Sequence, residues 1–278
     1  MPRFPIRRLY SLRKTPDFLI STISAAFCSA SSNVGTHDHI ANEWWSDEGA
    51  FVPLHTMNRL RVPFIVRSLQ EIGRSGQHKP SRPLLGYSVL EVGCGGGILS
   101  EPLARLGAQV TGIDIGESSI AVANLHAELD EDIKHNVKYE CTTVEELLSR
   151  DSLFDCVVAS EVIEHVPVEN QQSFIINCCK LSKHSVVVTT VNRTTAAYWT
   201  AIFAAENIFG IVPRGTHEYS MLVSPNDLQD MLRQGGASTR RLHGMCLNPV
   251  TMEWAWTGFT TINYAIQAVK FPADNSHS

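Results

Sequence analysis

Short apolar runs alternate with longer amphipathic stretches through the middle of the chain. The apolar runs predict strands at residues 88–93, 109–115, 137–141, 154–160 and 185–191. Between them, apolar residues at helical spacing predict helices at 98–106, 118–128 and 171–181. Such alternation is typical of a parallel, doubly wound sheet with helices on both faces.

The segments on either side of this region have other patterns. Residues 37–69 show large apolar side chains at helical spacing. After residue 226 the pattern predicts one helix and then two strands, at 238–243 and 262–269, which suit an antiparallel pair. The chain as a whole therefore predicts an α/β fold with a mostly parallel sheet of seven strands.

The first 36 residues differ in composition from the rest of the chain. They are rich in Ser, and Asp17 is their sole acid. Their cations are Arg3, Arg7, Arg8, Arg13 and Lys14. This composition is typical of a mitochondrial transit peptide, with a disordered basic tail or a poor secretory signal as alternatives. We expect a leader at 1–36, a folded domain at 37–270 and a disordered tail at 271–278.

Charge and cysteine usage narrow the class of protein. The formal net charge is −5, with no dense basic run after the leader, whereas a nucleic-acid binder requires a basic face. The seven cysteines are scattered and form no C-x-x-C pair, so a disulfide framework is not expected and a reducing compartment fits. We therefore expect no nucleic-acid partner.

The turn after the first predicted strand is the candidate cofactor site. Its sequence, EVGCGGG at 91–97, places glycines where the backbone can turn tightly and approach a ligand closely. Asp114 lies at the end of the next strand, where a carboxylate can accept the hydroxyls of a ribose. Dinucleotide enzymes share this geometry, but Glu91 before the first glycine favours a ligand that carries an amine. The pattern resembles motif I of the class I methyltransferases, which bind S-adenosylmethionine (SAM), and a plain tight turn is the alternative.

Further segments narrow the resemblance to one family. They are WWSDEGAFVPLHTMNRLR at 44–61, SEVIEHV at 160–166, TTVNRT at 189–194, VPRGTHEY at 212–219 and LNPVT at 247–251. With motif I, they resemble the ubiquinone biosynthesis O-methyltransferases from about residue 37 to residue 270. The resemblance implies a Rossmann-like class I fold and SAM contacts at Arg61, Gly93, Asp114 and Ser160. A guanidinium pairs well with the methionyl carboxylate, although the residues alone favour a surface helix arginine at Arg61.

Three polar residues follow the fourth predicted strand. Glu161, Glu164 and His165 have the spacing i, i+3, i+4, which predicts that they share one face of a helical turn. Carboxylates and imidazole can bind a divalent cation, and the resemblance implies Mg²⁺ at these positions. The same pattern occurs in methyltransferases that need no metal, where His165 would be a general base. In that alternative the two acids are solvated and only His165 lines the pocket. The catalytic candidates are Glu161, Glu164 and His165.

The resemblance also implies the acceptor and its setting. A methyl group would move from SAM to a phenolic oxygen of a polyprenyl catechol or demethylubiquinol. Large apolar residues within 192–222 predict a lid that contacts the polyprenyl tail or a membrane surface, with a core helix as the alternative. The implied location is the matrix face of the mitochondrial inner membrane, with peripheral membrane contact and a multi-enzyme ubiquinone-synthesis complex.

Three other functions remain open on the sequence alone. A methyltransferase with another small-molecule acceptor would share the cofactor motif. A Rossmann oxidoreductase is disfavoured by Glu91 and by the lack of a recognisable catalytic Tyr/Lys or His pair. A non-catalytic subunit of an assembly would bind SAM without turnover.

Overall fold

The computed structural model describes residues 44–46, 51–73, 79–194, 221–248 and 250–271. Helices and strands alternate along these residues until the last three strands, which follow one another. The helices are α1 Val52–Gln70, α2 Ser100–Arg105, α3 Glu117–Glu128, α4 Val144–Leu148, α5 Val168–Leu181 and α6 Pro225–Gln234. The strands are β1 Ser88–Val92, β2 Gln109–Asp114, β3 Val137–Cys141, β4 Phe154–Ser160, β5 Ser182–Val191, β6 Ala237–Asn248, β7 Glu253–Thr257 and β8 Asn263–Lys270.

These strands form one sheet in the order β3-β2-β1-β4-β5-β8-β6-β7. Neighbours among β1 to β5 are parallel, whereas β8 and β6 add antiparallel pairs. Strand order reverses at β1, which lies between β2 and β4. Such a reversal opens a crevice at the carboxyl edge, where α/β folds bind ligands. The Rossmann-like prediction is confirmed, with one correction: the sheet of the described residues has eight strands rather than seven.

The additional strand is β7, at one edge of the sheet. Most of its side chains are exposed, so no buried face marks it in the sequence. It forms because it pairs with the last residues of β6, which continues past the predicted end at residue 243 to Asn248. A short edge strand of this kind depends on its partner more than on local propensity.

Helices cover both faces of the sheet, as predicted. Every residue of β4 is buried, and its side chains alternate between the two faces. Val157 and Ala159 belong to the core cluster that contains residues of α5 and α6, whereas Cys156 and Val158 belong to the cluster with residues of α1 and α2. Burial of each valine contributes about 1.5–3 kcal/mol. This packing fixes the carboxyl end of β4, where Ser160 and Glu161 lie.

In the sequence, Thr142 and Glu145 have the spacing of a capping box that would open a helix after the third strand. The observed capping box of α4 lies one residue later. Glu146 N donates to the Thr143 hydroxyl at 3.2 Å, and Thr143 N donates back to the Glu146 carboxylate. Thr142 donates instead to Glu146 Oε2 at 2.7 Å. The capping pair is therefore Thr143 and Glu146, because only these two side chains reach each other's backbone N–H groups.

Several predictions fall on residues that the structure does not describe. These are the leader at 1–36, most of the lid at 192–222 and nearly all of the tail at 271–278. They stay predictions. Among the helices that are described, none combines the length and the apolar composition needed to cross a membrane.

Candidate active site

The glycine turn between β1 and α2 has a backbone conformation that favours glycine. Gly93 has a φ of 70°, and its N–H and that of Cys94 donate to the Ile113 carbonyl at 2.8 and 3.0 Å. A Cβ on Gly93 would lie 2.5 Å from a methyl group of Val162. The absence of a side chain therefore lets the turn close against the segment that follows β4 and exposes backbone to the cavity.

The tryptophans at the start of the described chain pack against this turn. Trp45 Nε1 donates to the Gly96 carbonyl at 3.1 Å, and its indole stacks on His126 with ring centroids 3.5 Å apart. A Cβ on Gly96 would lie 2.7 Å from the Trp44 ring. Gly96 is therefore needed for the close approach of Trp44, a role that sequence reasoning did not assign.

Asp114 lies at the end of β2 and faces the glycine turn. One carboxylate oxygen accepts from Gly95 N at 3.0 Å, and the other accepts from Gly116 N at 2.8 Å. Burial raises the pKa of this carboxyl, and the backbone N–H donors oppose the rise. A carboxylate offers about four lone-pair positions, so both oxygens keep the capacity to accept ribose hydroxyls.

Arg61 on α1 is a buried cation, at 5% exposure, and not a surface arginine. Burial lowers its pKa, while the carboxylates of Glu91 and Glu161 oppose that change. Burial also raises the pKa of Glu91 to about 7, against a hydrogen bond from Ser100 and the charge of Arg61. Arg61, Glu91 and Ser160 line a small cavity beside the glycine turn. The cation Arg61 and the acid Glu91 complement the carboxylate and the amine of a methionyl group, and a second acid, Glu161, also lines this cavity.

A chain of hydrogen bonds joins Arg61 to the first catalytic candidate. Arg61 Nη1 donates to Ser160 Oγ at 2.9 Å, Ser160 Oγ lies 2.7 Å from Thr189 Oγ1, and Thr189 donates to Glu161 Oε1 at 2.7 Å. Because the Thr189 proton is directed at Glu161, Ser160 is the donor to Thr189. The cofactor-binding candidates and Glu161 therefore belong to one network.

Glu161 and Glu164 are buried acids just after β4. Glu161 has a φ of 57°, which is uncommon for a residue other than glycine and clusters at functional sites. Thr190 donates to Glu164 Oε2 at 2.8 Å. Burial raises the pKa of both carboxyls, and the charge of Glu161 raises that of Glu164 further. Two neighbouring buried acids favour binding of a proton or a cation.

His165 does not form a metal-binding group with Glu161 and Glu164. It ends a short 3₁₀ helix, Ile163–His165, rather than a turn of α-helix, and it is half-buried. Among the residues that the structure describes, no group of three or more His, Cys, Asp or Glu side chains is arranged to hold a metal ion. The donor chemistry of Glu161 and Glu164 fits a hard cation, whereas the three-residue ligand set is not assembled.

A cavity of about 670 Å³ at the carboxyl edge brings the candidates together. Gly93, Asp114, Glu161 and His165 all line it. Its apolar lining includes Ile113, Val144, Val162, Val166 and Phe174. Small-molecule sites typically have about 300–1,000 Å³ and a mostly apolar wall with few polar groups. Another cavity, of about 370 Å³ near the start of β5, contains none of the predicted site residues.

Sequence reasoning missed the threonines that hold the two acids. Thr189 and Thr190 follow the apolar run at residues 186–188 near the carboxyl end of β5, and both are buried. Their position at the end of the apolar run could have identified them in the sequence. Buried hydroxyls need hydrogen-bond partners, and at the carboxyl edge of the sheet those partners are ligands or acids.

The fold and this site define a class I SAM-dependent methyltransferase. A family profile described as a methyltransferase domain matches residues 90–188, the span from β1 into β5. The solved structure of magnesium protoporphyrin IX methyltransferase from Synechocystis PCC 6803, with bound SAM, is similar at a TM-score of 0.58 and 20% identity. The match covers 91% of this chain and 97% of that chain, and at this identity it shows the fold alone.

Curated relatives narrow the class to one family. The mitochondrial ubiquinone biosynthesis O-methyltransferase of Rattus norvegicus is 42% identical over 95% of this chain and 72% of its own length. The protein of the same name from Arabidopsis thaliana is 37% identical, over 83% and 71%. The bacterial ubiquinone biosynthesis O-methyltransferase of Rhizobium leguminosarum is 40% identical, over 82% and 89%. The chain belongs to the family of ubiquinone biosynthesis O-methyltransferases, and it is a SAM-dependent O-methyltransferase. The predicted family and enzyme class are confirmed.

Proposed function

We propose that the enzyme methylates a phenolic oxygen of a polyprenyl catechol or demethylubiquinol in ubiquinone biosynthesis. The observation that carries this proposal is the cavity in which Gly93 and Asp114 meet Glu161 and His165. Its apolar wall suits an aromatic ring and the first units of a polyprenyl tail. Family membership supports the acceptor class, since the relatives' names refer to the same biosynthesis.

The cofactor-binding residues have separate roles in this proposal. SAM supplies an electrophilic methyl group on a sulfonium. Asp114 accepts hydrogen bonds from the ribose, and Arg61 donates to the methionyl carboxylate. Glu91 faces the amine, and the backbone at Gly93 forms the wall against which the cofactor lies. Holding donor and acceptor in one orientation can supply on the order of 7–11 kcal/mol of the barrier reduction.

His165 is the proposed general base. A phenol with a pKa of about 10 is mostly protonated at neutral pH, so its proton must leave as the new bond forms. Transfer breaks the bond between sulfur and methyl carbon, forms a bond between oxygen and that carbon, and moves the phenol proton to a ring nitrogen of His165. Glu161 lines the same cavity, and its negative charge would stabilise the positive charge of the resulting imidazolium.

We further propose a divalent cation, Mg²⁺ by preference, at Glu161 and Glu164. Carboxylate oxygens are the ligands that this hard cation prefers. Binding would relieve the mutual repulsion that raises the pKa of Glu164. When bound, a cation lowers the pKa of a catechol and orients its oxygens. Histidine is an unusual magnesium ligand, so His165 would contribute through a water molecule if at all.

An assay with labelled SAM and a short-chain polyprenyl catechol tests both proposals. Label is expected to move to the catechol, to stop after EDTA treatment and to return with Mg²⁺. Glu164→Gln should lower turnover about tenfold or more, since it removes the negative charge of a proposed Mg²⁺ ligand. SAM affinity should stay within about twofold of the parent value.

Glu169→Gln is the matched control, because Glu169 is an exposed acid nearby on α5 and its loss should leave the response to Mg²⁺ unchanged. Full activity in EDTA-treated protein would contradict the metal and leave His165 as a simple base. Label transfer to other phenols but to no polyprenyl catechol would contradict the acceptor.

We propose a mitochondrial location, at the matrix face of the inner membrane, for this chain. The basic leader at 1–36 and the mitochondrial names of relatives from rat and human support import. The apolar residues within 192–222 support peripheral contact with lipid or the prenyl tail, which would also place the enzyme near other enzymes of ubiquinone synthesis.

Fractionation of cells that express the full chain with a C-terminal tag tests this location. The tagged protein is expected in mitochondria, protected from added protease, and released from membranes by alkaline carbonate. A chain that begins at residue 37 is the control and should stay in the cytosol. Cytosolic full-length protein would contradict the leader, and carbonate-resistant protein would contradict peripheral contact.

A further inference from the structure

Asn58 lies one turn before Arg61 on α1, and its side chain connects Arg61 to the glycine turn. Its amide oxygen accepts from Arg61 Nε at 3.1 Å and from Arg61 Nη2 at 2.6 Å. Its amide nitrogen donates to the Ile98 carbonyl at 2.7 Å. The Asn58 side chain therefore accepts hydrogen bonds from two nitrogens of the guanidinium, and its own position is fixed by the hydrogen bond to Ile98, just after the glycine turn.

The remaining contacts of Arg61 leave a defined part of the guanidinium for a ligand. A guanidinium has five N–H donors. Besides the two bonds to Asn58, Nη2 donates to the Leu54 carbonyl and Nη1 donates to Ser160 Oγ. Four of the five donors thus have acceptors among the described residues, and one N–H of Nη1 is left on the group that lines the small cavity.

A long arginine side chain loses much rotamer freedom when it is held in one geometry. Asn58 removes that freedom before any ligand arrives, because it fixes Nε and Nη2 and therefore the plane of the guanidinium. Preorganisation of this kind increases affinity for the group that the guanidinium meets.

We propose that Asn58 is a positioning residue that aims Arg61 at the carboxylate of the methionyl group of SAM. This inference rests on the proposed role of Arg61 in binding that carboxylate. Its consequence is selective: Asn58 should matter for ligands that carry the amino-acid group and not for ligands that end at the sulfur. It also explains why an asparagine, which is a weaker helix former than alanine, stands inside α1.

Calorimetry with two ligands tests the proposal. S-adenosylhomocysteine carries the methionyl carboxylate, and 5′-methylthioadenosine lacks it. Asn58→Ala is expected to weaken S-adenosylhomocysteine about tenfold, as expected for loss of a preorganised charged hydrogen bond, and to change methylthioadenosine affinity less than twofold. Thr56→Ala, which removes a hydrogen bond to the Pro53 carbonyl on the same helix, should change neither affinity.

Asn58→Asp gives a second reading if the alanine variant unfolds. It keeps an oxygen for Arg61 but adds a negative charge beside the ligand carboxylate, so S-adenosylhomocysteine affinity should fall again and methylthioadenosine affinity should not. If the affinities for S-adenosylhomocysteine and methylthioadenosine fall equally, or if neither falls, the positioning role of Asn58 is wrong.

Arg61→Met separates this inference from the proposed function. In the Arg61→Met background, Asn58→Ala should have no further effect on S-adenosylhomocysteine affinity, since there is no guanidinium to aim. If Arg61→Met alone leaves that affinity unchanged, the carboxylate role of Arg61 is wrong. If Arg61→Met weakens binding and Asn58→Ala does not, only the role of Asn58 is wrong.

Discussion

Replacing Gly93 with valine is expected to lower SAM affinity about 100-fold or more. The φ of 70° is costly for a β-branched residue, by roughly 1–2 kcal/mol. The new Cβ would also lie 2.5 Å from Val162, so either the turn or the segment after β4 must move. Both form the wall of the 670 Å³ cavity. Calorimetric titration with S-adenosylhomocysteine measures the loss, and 100-fold corresponds to about 2.7 kcal/mol.

Gly86→Val is the matched control for backbone strain. Gly86 also has a positive φ, 85°, but an added Cβ there would meet no atom within 4 Å. Both variants carry a similar backbone strain, and the Gly93 variant has in addition the clash with Val162. Both should therefore have a lower melting temperature, the Gly93 variant more so, whereas only the Gly93 variant should lose the ligand. Unchanged affinity in folded Gly93→Val protein would show that the glycine turn is not the cofactor site.

Replacing His165 with alanine is expected to lower turnover by about 10²-fold or more, within the range for loss of a general base. Cofactor affinity should change little, since Gly93, Asp114 and Arg61 are intact. The residual rate should rise with pH toward about 10, because ionisation of the phenol itself then replaces the missing base. Steady-state rates across pH with saturating SAM measure both effects.

His135→Ala is the control for this experiment, because His135 is an exposed histidine remote in sequence from the site. It should keep the parent rate and pH profile. A His165→Ala enzyme with the parent's turnover would show that another group removes the proton, and Glu161, which lines the same cavity, would then be the next candidate.

Local sequence determined the central strands and the cofactor turn. Buried parallel strands read as apolar runs because both of their faces are covered, and β4 is buried at every position. The glycines and Asp114 were recognisable because a tight turn and a carboxylate at the end of the next strand are each encoded within a few residues. The parallel, doubly wound arrangement of β1 to β5 followed from the alternation of strands and helices, whereas their order in the sheet came from the tertiary structure.

Only the tertiary structure decided the parts of the site that depend on distant residues. Arg61 is a candidate for binding the ligand because the fold buries it beside Ser160, 99 positions away, which accepts a hydrogen bond from it. Trp45 packs on the glycine turn from 51 positions away. Strand β7 forms because β6 pairs with it. His165 lies in a 3₁₀ turn rather than in an α-helix, and it does not form a three-residue metal-ligand set with Glu161 and Glu164. Spacing along a chain reports neighbours within one element, whereas burial, hydrogen-bond partners and ligand sets are set by which elements the fold brings together.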